Sequence, residues 1–228
     1  MKKSFLIYLL LLAPLAFSQN EIVSIPTKVD TPQYLKNPLY HQALGLYEIS
    51  RIKQADIVML GNSNIYGADW SELLGRTNVV NRGITSDVIE GYISRLNYVV
   101  TLNPKIVFIS GGLNDVYNWF PLSVIMSNYT FLVEQLKKRG IIVVVQSTFH
   151  VLSSWHAADT RNPEIDKLNI LLKDYCKKEG VEFIDLVPLM SRKGAFREEY
   201  ANSWGHINPR GYKVWADQVD KVLRKLGF

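Results

Sequence analysis

The sequence has 228 residues, of which 47% are hydrophobic and 21% charged, and its mean hydropathy is zero. That is enough for one sizeable core and too little for two domains of ordinary size, and it excludes both a disordered chain and a multi-span membrane protein. The formal charge of +5 is spread along the chain without a basic stripe, so nucleic acid is not an expected partner.

The chain opens MKKSFLIYLLLLAPLAFSQN, with Lys2 and Lys3 ahead of an apolar run from Phe5 to Leu15. Small residues at Ala16 and Ser18 complete the pattern of a secretory signal over 1–18, cleaved after Ser18. The run is shorter than a membrane span needs, so no stable span is expected after cleavage. The leader takes Lys2 and Lys3 with it and no acidic residue, so the charge of +5 falls by two. Export to the periplasm or the cell exterior is the expectation. Residues 19–50 read as an irregular lead-in followed by a first helix, and 51–228 as the domain proper.

Five short apolar runs then punctuate the chain: Ile57–Leu60, Val79–Val80, Ile106–Ile109, Ile141–Val145 and Val181–Ile184. Their continuity fits strands buried on both faces of a parallel sheet. Between them, apolar residues recur at helical steps over Val88–Val100, Leu122–Lys138 and Ile165–Cys176, and a last helix follows from Val214 to Leu226. The alternation predicts a three-layer α/β/α domain with a flavodoxin-like, doubly wound parallel sheet of about five strands. In such sheets, ligands bind beyond the carboxyl ends of the strands. Cys176 stands alone, so no disulfide forms within the chain, and its place in a helical pattern predicts a core residue.

Four segments at those strand ends can carry chemistry. In Gly61-Asn62-Ser63-Asn64, Ser63 is either an exposed nucleophile or simply a helix cap. In Asn81-Arg82-Gly83-Ile84-Thr85-Ser86-Asp87, the Gly83 N–H faces a ligand or the glycine only makes the turn. In Ser110-Gly111-Gly112-Leu113-Asn114-Asp115, the Asn114 amide suits an oxyanion donor because it offers two uncharged N–H groups, although a plain turn would look the same. In Ser203-Trp204-Gly205-His206-Ile207-Asn208-Pro209, His206 precedes a helix start. His41, His150 and His156 lack a comparable frame, and no spacing suggests a metal site. The stretch from Ser147 to Arg161 exceeds an ordinary connection and suggests a pocket wall or lid, with Trp155 in it. Tyr66, Trp70, Tyr117, Trp119 and Trp155 can form a sugar-binding face or pack in the core.

The order Ser, Gly, Asn, His, each at a strand-to-helix loop, resembles the SGNH (GDSL-type) hydrolase family over Ile57 to Leu226. The resemblance is nearest to its carbohydrate-esterase and platelet-activating-factor-acetylhydrolase-like branch, through NRGITSD, FISGGLND and the EEYANSWGHINPRGYKVWA tail. It implies a serine esterase without a cofactor: Ser63 as nucleophile, His206 as base, and the Ser63 and Gly83 N–H groups with the Asn114 side chain as oxyanion hole. The implied substrate is a small acyl ester, acetyl by preference, on a glycan. Two positions depart from the family pattern. Asn62 stands where an Asp is usual and is a substrate-binding candidate beside Trp155. Ser203 stands where the triad Asp is usual, and its hydroxyl can orient His206 but supplies no charge; Glu198, Glu199 or Asp115 are the carboxylates available to replace it. The alternatives are a catalytically impaired glycan- or acyl-binding protein of the same fold, a lysophospholipase or thioesterase, and an acyltransferase. The sequence does not indicate an oligomeric state.

Overall fold

The computed structural model describes residues 31–203 and 205–228. The leader at 1–18 therefore lies outside the described residues.

The five apolar runs are strands of one parallel sheet: β1 (Ile57–Gly61), β2 (Val79–Gly83), β3 (Ile106–Ser110), β4 (Ile142–Gln146) and β5 (Glu182–Ile184). Their spatial order is β2-β1-β3-β4-β5, the doubly wound arrangement expected. β1 lies in register between its neighbours, Gly61 standing opposite both Gly83 and Ser110. Every residue of β1 and β3 is buried, which explains why these strands show no polar alternation.

The connecting helices are α1 (Pro38–Ile49), α2 (Ser63–Tyr66), α3 (Trp70–Leu74), α4 (Ile89–Ser94), α5 (Asn97–Val100), α6 (Leu113–Tyr117), α7 (Leu122–Lys137), α8 (Ala158–Glu179), α9 (Val187–Met190) and α10 (Pro209–Lys225). Alternate strand residues feed two cores. Val58, Leu60, Val107, Ile109, Val143 and Val145 pack with α4, α7 and α8. Ile57, Met59, Ile106, Phe108 and Val144 pack on the other face, with Trp70 of α3 and Trp215, Val219 and Leu223 of α10. The result is three layers. Trp70 is thus a core residue, edge-on to Trp215 at 4.8 Å, with its indole N–H on the Ile65 carbonyl at 3.0 Å. Cys176 is fully buried, and burial pushes its thiol up to about 12.

Two departures from the sequence reading have local causes. The periodic stretch Val88–Val100 is not one helix but α4 and α5, broken where Arg95 turns inward. The Arg95 guanidinium donates to Asp87 Oδ2 at 2.8 Å, to the Arg82 carbonyl at 2.8 Å and to the Gly61 carbonyl at 3.0 Å. It thereby fastens the loop after β2 to the carboxyl ends of β1 and β2. Helix α8 begins at Ala158, earlier than its apolar period, with Pro163 inside its first turns. The long connection after β4 is correspondingly shorter.

Candidate active site

Beyond the carboxyl ends of the strands lies a cavity of about 280 Å³. Its walls come from separate loops: Ser63 after β1, Ser86 after β2, Asn114 after β3, His150 after β4, and Gly205 and His206 ahead of α10.

Ser63 is the first residue of α2. Asn62 caps that helix, its Oδ1 accepting the Asn64 N–H at 3.0 Å. Asn62 is buried and does not line the cavity, so it is not the substrate contact expected of it. The Ser63 N–H begins a helix, where no intrahelical acceptor exists, and it finds none elsewhere among the described residues.

Gly83 also departs from expectation. Its N–H is taken by Asn81 Oδ1 at 2.7 Å, and it does not line the cavity. The glycine is there because α2 lies directly on it; a Cβ would meet the Tyr66 backbone nitrogen at 2.2 Å. Asn81 completes this clasp by donating to the carbonyls of Ile65 and Ala68. The residues of this loop that do reach the cavity are Thr85 and Ser86, the latter held at φ 61°, a left-handed conformation uncommon for residues other than glycine or asparagine. The Ser86 N–H has no acceptor among the described residues. Sequence reasoning missed it because serine does not advertise a positive φ as glycine does.

Asn114 sits in the first turn of α6, after Gly112 at φ 92°. One amide N–H goes to the Asp87 carbonyl at 2.8 Å, which fixes the side chain and leaves the second N–H for the cavity. Asp87 is the residue clamped by Arg95, with both side chains fully buried. Burial pushes the Asp87 carboxyl above its ordinary range, and the adjacent guanidinium opposes that shift.

His206 lies on a loop closed by the bridge between Ala201 and Ile207. Asn202 braces it: the Asn202 N–H donates to the His206 carbonyl at 2.7 Å, and Asn202 Oδ1 accepts the His206 N–H at 3.0 Å. Asn208 caps α10 by accepting the Gly211 N–H, and Tyr212 in its first turn donates to the Asn64 carbonyl at 2.8 Å. That bond joins the helix after the histidine to the helix carrying the serine. Ser203 is exposed, does not line the cavity, and its hydroxyl makes no hydrogen bond to His206, contrary to the orienting role expected. The candidate replacement acids are engaged elsewhere or exposed. Glu199 pairs with Arg197, Glu198 is exposed, and Asp115 accepts the Ile89 N–H at 3.1 Å.

Trp155 and Tyr117 line the cavity, while Tyr66 and Trp119 are exposed away from it. Gly205 lies flat against the Trp155 ring, where a Cβ would meet it at 2.7 Å.

Residues 59–214 match the GDSL-like lipase/acylhydrolase family. The chain belongs to this family. Among solved structures it is similar to a GDSL-like lipase from Bacteroides thetaiotaomicron, with a TM-score of 0.71 at 20% identity, over 82% of this chain and 98% of that one. It is also similar to the acetyl xylan esterase AlAXEase, with a TM-score of 0.63 at 17% identity, over 73% and 98%. At such identities the likeness is one of fold. A curated relative is N-acylneuraminate cytidylyltransferase of Streptococcus agalactiae, 21% identical over 178 residues, or 73% of this chain; the chain spans 40% of that protein's length.

In this member of the GDSL-like family the carboxyl of Asp115 is fully buried beside the site, and burial raises it from 3.8 to about 7. The folded protein thus keeps a proton that the unfolded chain releases between those values. The stabilisation from this group is complete below 3.8 and is lost as pH rises through about 7. The urea midpoint of the wild type is therefore expected to fall, relative to that of Asp115→Asn, between about pH 4.5 and about pH 8. A constant difference between the two proteins across that range would contradict this.

Proposed function

We propose that the chain is an exported serine esterase that removes a short acyl group, acetyl by preference, from a carbohydrate hydroxyl. The observation that carries this reading is the convergence of Ser63, Ser86, Asn114 and His206, from four loops, on one cavity. Ser63 Oγ attacks the ester carbonyl carbon and His206 takes its proton. The oxyanion is received by the N–H groups of Ser63 and Ser86 and the second N–H of Asn114. Collapse of the tetrahedral intermediate breaks the bond to the alcohol oxygen, and His206 returns its proton to the leaving alcohol. Water then repeats the sequence on the acyl-serine and releases the acid.

The size of the cavity, about 280 Å³, lies at the low end for ligand pockets and favours a small acyl group over a lysophospholipid chain. Trp155 and Tyr117 offer aromatic faces at the wall, which suit the apolar faces of sugar rings. Export follows from the leader pattern of the first residues. Ser203, at the position where the triad acid is usual in the family, favours a second reading, binding of the same ligand without turnover.

The test is release of acetate from acetylated xylo-oligosaccharides, beside hydrolysis of p-nitrophenyl acetate, butyrate and octanoate. The expected order is acetate over butyrate over octanoate. Asn114→Ala is expected to lower kcat by about 10²- to 10³-fold with little change in KM, the usual cost of one oxyanion donor. An octanoate preference would overturn the short-acyl assignment, and absence of turnover with retained binding would favour the second reading.

A further inference from the structure

Arg95 and Asp87 form an ion pair whose side chains are both closed to solvent. Such a pair is weak evidence for stability, since apolar side chains of similar volume often hold a core equally well. What sets this one apart is the reach of the guanidinium. Nε donates to Asp87 Oδ2, while Nη1 and Nη2 donate to the carbonyls of Arg82 and Gly61. Gly61 ends the strand that delivers Ser63, two positions ahead of it. The Gly61 carbonyl also accepts the Ile84 N–H at 3.0 Å, so the loop after β2 is fastened to β1 twice.

Asp87 stands at the other end of this arrangement. It follows Ser86, whose φ of 61° is a left-handed conformation that persists only where the surroundings enforce it. Its carboxylate is held on two sides, by Arg95 and by the Val88 N–H at 3.0 Å. Its N–H closes a turn on the Ile84 carbonyl at 3.2 Å, and its own carbonyl takes one amide N–H of Asn114 at 2.8 Å. Asp87 is thus the neighbour in sequence of one proposed oxyanion donor and the hydrogen-bond anchor of another. Arg95 fixes it against the strand that ends ahead of Ser63.

We propose that Asp87 and Arg95 are positioning residues that set the placement of the Ser86 N–H and the Asn114 amide relative to Ser63. Neither lines the cavity, and both act through the backbone. This rests on the esterase reading for what the two donors receive, but not for their placement. Donors aimed at an oxyanion count more in the transition state than in the ground state, so misplacing them lowers kcat and spares KM.

The test is Arg95→Lys, which keeps the charge but lacks the planar fork needed to serve three acceptors at once. Its kcat on p-nitrophenyl acetate is expected to fall about 10²-fold, with KM within about twofold of the wild type. In an Asn114→Ala background the same change is expected to cost less than about tenfold, because the amide it positions is gone. Asp87→Asn, which keeps the size of the side chain but not its charge, should show the same split. Placement itself is read without turnover, from hydrogen exchange of side-chain amides by nitrogen-15 NMR. The Asn114 amide, assigned by its absence in Asn114→Ala, is expected to lose protection about tenfold in Arg95→Lys. The Asn169 amide, bonded to the Thr148 carbonyl, should keep its protection. A kcat loss of full size in the Asn114→Ala background, a KM rise in place of a kcat fall, an Asn114 amide as protected as in the wild type, or equal loss at Asn114 and Asn169 would overturn the proposal. A wild type without turnover would sink the esterase reading alone, and the amide signals would then decide the placement by themselves.

Discussion

Ser63→Ala is expected to abolish ester hydrolysis, with kcat falling by at least about 10⁴-fold and toward the 10⁶-fold seen when a serine nucleophile is removed elsewhere. The loss should be confined to chemistry. Ser63 is the first residue of α2, and the cap of that helix is supplied by Asn62, which the substitution leaves in place. The melting temperature of Ser63→Ala should therefore stay close to that of the wild type. Ser203→Asp is the informative companion. Ser203 is exposed, so the new carboxylate incurs little burial, and it restores a negative group three residues before His206. Its kcat on p-nitrophenyl acetate is expected to rise above that of the wild type, because an ionised neighbour stabilises the imidazolium formed as Ser63 is deprotonated. A Ser63→Ala protein as active as wild type would remove the serine mechanism altogether. Silence in the wild type with gain in Ser203→Asp would place the chain among binders that have lost turnover.

Arg95→Met is expected to be the most damaging substitution outside the cavity. It takes from the buried Asp87 carboxylate its charge partner and from the Gly61 and Arg82 carbonyls one donor each. Breaking a buried pair from one side typically costs about 3–5 kcal/mol. For a domain of this size that corresponds to roughly 6–20 °C in Tm. The comparison is Lys167→Ala, which removes an exposed partner of Glu164 and should stay within about 0.5 kcal/mol of the wild type. A urea-unfolding difference below about 1 kcal/mol for Arg95→Met would show that the three acceptors find other partners.

The sheet was legible in the sequence because buried parallel strands leave continuous apolar runs, and the glycines and asparagines that follow them mark the strand ends. What stayed hidden was of two kinds. Helices of four or five residues, such as α2 and α6, are too short to show a period, so Ser63 and Asn114 could be placed only at loop positions. The second kind concerns backbone and orientation. Gly83 looked like an oxyanion donor, but its small size serves the approach of α2, and the residue that lines the cavity with an N–H lacking an acceptor among the described residues is Ser86, three positions on. Ser203 was the natural candidate to orient His206, but the histidine backbone is braced by Asn202 instead. The hold of α8 on the segment after β4 was hidden too: Asn162 and Asn169 bind Val151 and Thr148 through both N–H and carbonyl, a pairing visible only once α8 is known to face that segment.

The bond from Tyr212 to the Asn64 carbonyl reaches across 148 positions of the chain. It ties the helix of Ser63 to the 17-residue helix that follows His206. The proposed chemistry therefore requires α10 to be seated against the helix of Ser63. Hydrolysis then works as a folding gauge. During refolding it should return after the sheet's far-ultraviolet signal, and on warming it should vanish first if α10 is the first element to lift.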